Sequence, residues 1–389
     1  MKRASLHLTL LTETFPPEVN GVARTLQRLV DVLTARGHRV SVLRPRQRRE
    51  AAGPHLFPAT ALPLYPQLRM GWALPGQMSR RLCSLQPDLL HIATEGPLGL
   101  AALLAARRLD VPVVSSFHTN FDGYAHHYGL RILQNLARSY LRRFHNATLL
   151  TLVPSLGTQA LLTERGFCNL ALWRRGVDGG QFHPHFRDER LRASLGLRAD
   201  DILLLNVGRL ALEKNIPAVV GAFRALSQRW RGPQRLHLAL VGDGPLLVQF
   251  RQEKTENMTL AGMQIGMDLA RWYASADLFC FPSCSETFGN VVLEAMASGL
   301  PVLAYDCPGV NEQFRHGEEG VLLPRDGDFA AAMEALCREP DLRRAMGNRA
   351  RQRAEGCDWG TVFDELLLHY QVVLQRHGEA SARRLNPPP

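Results

Sequence analysis

Short apolar runs alternate with helix-length amphipathic runs along this chain, in two separate series. In the first series the runs Leu6–Leu11, Arg39–Leu43, Leu89–Ile92, Pro112–Ser116 and Leu149–Val153 read as strands. Helix patterns follow several of them, notably Val22–Arg36 and Leu98–Arg108, and Gly37 stands where a C-cap glycine ends the first. In the second series the strands are Ile202–Val207, Leu236–Val241, Met258–Leu260, Asp277–Phe281, Val302–Ala304 and Val321–Leu323. Strands alternating with helices predict α/β layers around parallel sheets. The turn-rich stretch Arg175-Gly-Val-Asp-Gly-Gly-Gln-Phe-His-Pro reads as the linker between two doubly wound domains. Ligands of such sheets bind at the C-terminal ends of the strands, so both domains are expected to present those ends to a shared cleft.

A length of 389 residues suits two domains, each with its own core. The formal charge of +10 is compatible with a nucleic acid, an anionic membrane surface or small anionic ligands. The arginines are scattered, with local clusters at Arg44–Arg49 and Arg142–Arg143, and no nucleic-acid motif accompanies them, so no nucleic-acid partner is expected. No apolar run has the length of a membrane span, and Met1–Glu13 reads as a first strand rather than a signal peptide. The seven cysteines lack Cys-x-x-Cys spacing, which predicts reduced thiols in a cytoplasmic protein.

The candidate chemistry lies at strand ends. Phe281–Val302 runs from a strand through a turn into a helix, with Glu286 before the helix, Gly289 and Asn290 at its start, and Glu294 about two turns inside. Backbone N–H groups at such a start attract an anion, and the two glutamates can grip hydroxyls on either side. Eight residues at helical rise separate their backbones by about 12 Å. That is more than the roughly 5–9.5 Å between the carboxyl groups of a glycoside hydrolase. Asn206-Val-Gly-Arg-Leu-Ala-Leu-Glu-Lys places Gly208 in a sharp turn, with Arg209 and Lys214 as a cation pair suited to a diphosphate. Val241-Gly-Asp-Gly-Pro, with Gly242, gives a turn a ligand can approach closely, or simply a tight turn.

In the first half, Gly21 opens a helix after Pro16-Pro-Glu-Val-Asn, facing a phosphate or serving as an ordinary strand-to-helix turn. His118 follows a strand and is placed to hydrogen-bond a ligand. Asp122 and Tyr124 follow it, and Asp122 either accepts an acceptor hydroxyl or caps a helix. Arg131–Phe144 is amphipathic, with Ile132, Leu136, Tyr140 and Phe144 on one face. It packs on its own domain or docks on anionic lipid. No His/Asp cluster has metal-ligand spacing, so Arg209, Lys214 and helix ends are expected to neutralise a diphosphate without an obligatory metal.

These motifs together resemble retaining glycosyltransferases of family 4, which have the two-Rossmann GT-B fold. The resemblance covers nearly the whole chain and includes the Asn-Gly-Val turn, His118, Gly-Arg-x-x-x-Glu-Lys-Asn, Val-Gly-Asp-Gly-Pro and Glu286-x7-Glu294. It also includes Trp359, before a terminal helix that in such folds returns to the first domain. It implies an N-terminal acceptor-side domain over residues 1–178, a donor-binding domain over 179–366, and a returning helix and frayed tail over 367–389. It further implies that Glu286 contacts donor-sugar hydroxyls, aided by Phe288 and Gly289, and that Glu294 binds the ribose. Arg209 and Lys214 would hold the diphosphate, Gly21 would approach it, His118 would meet the transferring sugar, and Gly262 and Met263 would line the base pocket. The wording Thr12-Glu-Thr-Phe-Pro-Pro-Glu-Val-Asn-Gly-Val is most similar to bacterial GDP-mannose-dependent α-mannosyltransferases. It therefore implies a GDP-mannose donor, a lipid-linked or glycan acceptor and a peripheral place on an anionic membrane. A UDP-sugar donor and a non-catalytic nucleotide-sugar-binding protein stay open as alternatives. Leu212 departs from the family, where proline is common, and should alter loop stiffness rather than chemistry.

Overall fold

A computed structural model of the chain describes residues 5–18, 20–47, 50–62, 65–118 and 131–385. Asp122, Tyr124 and the tail beyond residue 385 lie outside the described residues. Contacts divide the chain into two compact units. The second is Arg175–Trp359, and the first comprises the described residues up to 118, 131–174 and 360–385. The divisions fall at 174/175 and 359/360, where the expected boundaries are 178/179 and 366/367.

The first unit is built on strands β1 (His7–Leu11), β2 (Arg39–Pro45), β3 (Leu56–Phe57), β4 (Ala59–Leu62), β5 (Tyr65–Gly71), β6 (Leu89–Ile92), β7 (Val113–Ser116), β8 (Leu150–Val153) and β9 (Leu170–Leu172). Seven form a sheet in the order β3-β2-β1-β6-β7-β8-β9, and β4 and β5 pair as a separate antiparallel ribbon. The seven-stranded ladder is parallel throughout. The second unit adds β10 (Ile202–Val207), β11 (Leu236–Val241), β12 (Met258–Gly262), β13 (Leu278–Phe281), β14 (Val302–Tyr305) and β15 (Gly320–Leu323). These pair in parallel in the order β12-β11-β10-β13-β14-β15.

Every residue of β10 is buried, and its side chains alternate between two cores. Leu203, Leu205 and Val207 pack with Phe279, Val292 and Met296, whereas Ile202 and Leu204 pack with Val219, Val220 and Phe223. The sheet is thus sandwiched, and its polar chemistry is confined to the strand ends. Asn206 is the exception within the strand, and its amide donates to the Cys280 carbonyl at 2.8 Å, tying β10 to β13.

The terminal helix Trp359–Leu385 begins in the second unit and continues as part of the first. There Asp364 pairs with Arg36 at 2.9 Å, and His369 Nε2 lies 3.0 Å from the Leu172 carbonyl. Arg131–Asn146 is a helix whose inward residues are Tyr140, Leu141, Phe144 and His145. Leu136, expected on the apolar face, is 64% exposed, because the buried stripe turns through Leu141 instead. Asp328, of Asp326-Gly-Asp328, accepts from the backbone N–H groups of Ala330 and Ala331 and so caps the helix Phe329–Arg338. Among the described residues no helix is long and apolar enough to cross a membrane.

Candidate functional site

In the second unit the turns after β10, β13 and β14 are fastened side by side, as the strand order requires. Lys214 Nζ lies 2.5 Å from Glu286 Oε1, with both side chains about four-fifths buried. Ser283 Oγ donates to the same carboxylate oxygen at 3.2 Å. Ser285 Oγ donates to the Glu213 carbonyl at 2.7 Å, and the Asn215 amide reaches the Pro282 carbonyl at 3.4 Å. The 3₁₀ turn Leu212–Lys214 is therefore stapled to the Glu286 loop, and Leu212, at its start, is exposed. Pairing between Lys214 and Glu286 differs from the separate roles the resemblance gave them. It holds a cation and an acceptor at one point.

On its other side the Glu286 loop is tied covalently. Cys284 and Cys307, the latter just after β14, form a disulfide with Cα atoms 5.3 Å apart. The expectation of reduced thiols is thus wrong for this pair. Strand order brings together two cysteines 23 positions apart in sequence, a proximity that Cys-x-x-Cys spacing does not test. The other five cysteines form no disulfide.

The helix Asn290–Ala297 begins at Gly289, whose φ of +84° is a left-handed value natural to glycine. Glu294 therefore stands just over one turn inside the helix, not two, because the backbone through Phe288 is not helical. Gln313 shapes that stretch. Its buried amide donates to the carbonyls of Phe288, Gly289 and Gly309. Glu294 accepts from the hydroxyl of buried Tyr273 at 2.9 Å, which fixes one carboxylate oxygen.

On the far side of β10, Gly242 allows two turns to touch. A Cβ there would lie 1.9 Å from the Gly208 carbonyl oxygen, so only glycine fits. Its N–H donates to the Gly262 carbonyl at 2.8 Å, linking the ends of β11 and β12. Arg209 is exposed just beyond Gly208, and Met263 is 55% exposed just beyond Gly262. The second unit thus gathers Gly208, Arg209, Lys214, Gly242, Gly262, Glu286, Gly289 and Glu294 at one edge of its sheet. Gln313, Tyr273, Ser283 and Ser285 are the residues that sequence reasoning missed. None belongs to a recognisable spacing, and only the strand order reveals them.

In the first unit, Gly21 opens the helix Gly21–Ala35, capped by Asn20 Oδ1 accepting from the Ala23 N–H at 2.8 Å. No acidic residue occupies its first turn, so the positive end of the helix is not offset. His118 follows β7, with Nε2 2.8 Å from Ser116 Oγ and its ring edge-on to Trp173.

A second polar group lies in the same unit. Glu13 Oε1 accepts from the Leu98 N–H at 3.2 Å, supplying the cap that Gly96 cannot give the helix Pro97–Arg108. Burial, with the nearby Glu95 charge adding to it, pushes the Glu13 carboxyl up to about 7. Glu95 Oε1 meets His145 Nε2 at 3.1 Å, and His145 Nδ1 meets Ser115 Oγ at 2.9 Å. Ser115 and His145 are wholly buried, and Ser115 also bonds Thr148 and Thr151. This serine–histidine–carboxylate chain braces β7 against the helix Arg131–Asn146. It presents no reachable nucleophile.

Two doubly wound parallel sheets, one carrying a lysine–glutamate pair and glycine turns at its strand ends, define a glycosyltransferase of the two-Rossmann, GT-B type. Residues 19–180 match the family described as Glycosyltransferase Family 4, and residues 187–353 match Glycosyl transferases group 1. A GDP-mannose-dependent alpha-mannosyltransferase of Mycolicibacterium smegmatis is 34% identical over 97% of this chain and 100% of its own. An alpha-monoglucosyldiacylglycerol synthase of Streptococcus pneumoniae is 28% identical over 87% of this chain and 80% of its own. Among solved structures, a sucrose-phosphate synthase of Thermosynechococcus elongatus superposes with a TM-score of 0.77 at 20% identity, over 95% of this chain and all of that one. The chain belongs to the family 4 glycosyltransferases and is a hexosyltransferase.

Proposed function

We propose that the protein transfers mannose from GDP-mannose, with retention at the anomeric carbon, to a hydroxyl of a lipid-linked or glycan acceptor. The carrying observation is the Lys214–Glu286 pair at 2.5 Å, at the strand ends where Gly242 lets the turns after β10 and β11 touch. Glu286 would exchange its lysine partner for donor-sugar hydroxyls, releasing the ammonium toward the diphosphate. Arg209 and Lys214 then stabilise the charge of the departing nucleotide, an electrostatic role strongest in a water-poor site. Glu294, oriented by Tyr273, takes the ribose, and Gly262 with Met263 bounds the base. The helix start at Gly289 and Asn290 offers N–H groups to the sugar, and Phe288 contributes backbone.

From the first unit, the helix start at Gly21 would meet a diphosphate oxygen and His118 a hydroxyl of the transferring hexose. In the transfer, the bond between C1 and the phosphate oxygen breaks and a bond from the acceptor oxygen forms on the same face. The acceptor's proton passes to the leaving phosphate. This scheme asks for no protein nucleophile. The donor assignment is supported by the mycobacterial relative, and a lipid acceptor by the streptococcal one. No divalent metal enters the scheme, so chelation should leave turnover unchanged. The membrane association expected for Arg131–Phe144 would show as flotation with anionic liposomes that weakens with salt.

The decisive experiment incubates purified protein with GDP-mannose, UDP-glucose or UDP-galactose and a bacterial lipid extract, and follows the anomer formed. Mannosyl product of α configuration from GDP-mannose alone is expected. Transfer from a UDP-sugar alone would overturn the donor, and inversion would overturn the mechanism.

A further inference from the structure

His118 is the outer end of a hydrogen-bonded chain that runs to the terminal helix. Tyr370 Oη lies 2.7 Å from His91 Nδ1, His91 Nε2 lies 3.0 Å from Ser116 Oγ, and Ser116 Oγ lies 2.8 Å from His118 Nε2. The inner three side chains are essentially without solvent contact, and only His118 is partly exposed. Trp173 packs edge-on against both imidazoles, at 5.5 Å from His91 and 5.7 Å from His118, so neither ring turns freely. All these groups belong to the first unit, although Tyr370 stands 279 positions from His91.

The chain has a direction. Burial holds the Tyr370 phenol well above its ordinary range, so it keeps its proton. Among the described residues its one hydrogen-bond partner is His91 Nδ1. A buried hydroxyl that fails to donate loses a hydrogen bond that no water replaces. Tyr370 therefore donates, His91 Nδ1 accepts, and the proton of neutral His91 is on Nε2, directed at Ser116 Oγ. A serine hydroxyl has one proton, and Ser116 has two imidazole neighbours. Accepting from His91, it must donate to His118 Nε2. Neutral His118 then carries its proton on Nδ1.

We infer that Tyr370, His91 and Ser116 are positioning residues that hold His118 as the Nδ1–H tautomer, a hydrogen-bond donor from Nδ1 rather than from Nε2. For transfer this means that His118 offers a hydrogen to an oxygen of its ligand, and that a helix distant in sequence sets which nitrogen does so. Protonating His118 would put a second N–H on Ser116 and reverse the whole chain. The arrangement therefore favours the neutral ring. The consequence for transfer rests on the reading of His118 as a ligand contact, but the tautomer does not.

Histidine nitrogen shifts in ¹⁵N-labelled protein without ligand report the tautomer directly. The expected spectrum shows His118 protonated at Nδ1 with an unprotonated Nε2, and a mixed tautomer in Tyr370→Phe and in Ser116→Ala. With donor and acceptor supplied, Tyr370→Phe should lower kcat about tenfold at unchanged donor KM, by analogy with the roughly 10–100-fold that outer partners of metal-bound histidines contribute. Ser116→Thr, which keeps the hydroxyl, should restore the wild-type tautomer. His118 protonated at Nε2 in the wild type, or an unaltered tautomer in both Tyr370→Phe and Ser116→Ala, would overturn the relay. Wild-type turnover in His118→Ala would instead sink the ligand contact.

Discussion

The two units finish their sheets with opposite chemistry. At the strand ends of the second, charge meets charge, as Lys214 with Glu286, and the loops are fastened laterally by serine hydroxyls and a disulfide. At those of the first, imidazoles and hydroxyls form buried chains, and Glu13, whose carboxyl burial pushes up to about 7, sits over a helix start. A charged pair can be opened by a ligand that brings an anion to the ammonium and hydroxyl donors to the carboxylate. A neutral buried chain cannot, because breaking it leaves an unsatisfied group whichever way it opens. The strand ends of the second unit can therefore re-pair, whereas those of the first hold a fixed hydrogen-bonding pattern.

The largest expected effect tests the charged side. Lys214→Met should lower kcat roughly 100-fold or more, the scale on which one preorganised charge-stabilising group acts. Wild-type kcat in that variant, measured with GDP-mannose, would remove Lys214 from the leaving-group site. Next is the covalent fastening. Cys307→Ala should lower unfolding stability by about 3 kcal/mol under non-reducing conditions, from closure of a loop of this length. In reducing buffer, calorimetry should find most of that difference gone. If the difference survives reduction, packing of the buried thiol explains it instead.

The two remaining predictions set the units against each other in pH. Glu13 has a folded-state value of about 7 against an ordinary 4.5. Folding therefore favours its protonated form, and the stability it allows is present at low pH and lost as pH rises from 4.5 through 7. Glu13→Gln should raise stability at pH 8, by up to about 3 kcal/mol, and not at pH 4. Denaturant midpoints at the two pH values decide it. His237, on β11, is shifted the other way, down to about 4, by burial and by Arg235. Its neutral form is favoured on folding, so stability falls as pH drops from 6.5 toward 4. His237→Gln, which can still meet Thr259, should be relatively more stable than wild type at pH 5 and indistinguishable at pH 8. The same pH dependence in wild type and variant would show that the ring is solvated.

The sequence foretold the ladder well wherever a strand was long and wholly apolar, as at Ile202–Val207 and Leu236–Val241. It missed β3, the β4–β5 ribbon and β9, which are too short or too polar for period to register. Glu286, Lys214, Arg209 and Glu294 were visible because the motifs that bear them follow strands. Gln313, Tyr273 and Tyr370 were not, because what they do depends on which strand or helix lies beside them. The disulfide was hidden for the same reason. Glu294, expected about two turns into its helix, stands just over one turn in, because the helix begins at Asn290 and Gln313 holds the Phe288 and Gly289 carbonyls outside it.

The second unit enters and leaves through adjacent strands of chain. Val177 N–H donates to the Cys357 carbonyl at 2.9 Å, Val177 pairs in parallel with Asp358, and a Cβ at Gly176 would strike the Trp359 backbone. Topologically this unit is an insert whose two ends are already knotted together, within a host that is itself discontinuous. Residues 175–359 should therefore survive excision as an autonomous folding unit, while the host, once opened there, needs only a short tether to rejoin residue 174 to residue 360. A gene built as that pair of pieces, rather than as front and back halves, is the natural way to take this enzyme apart.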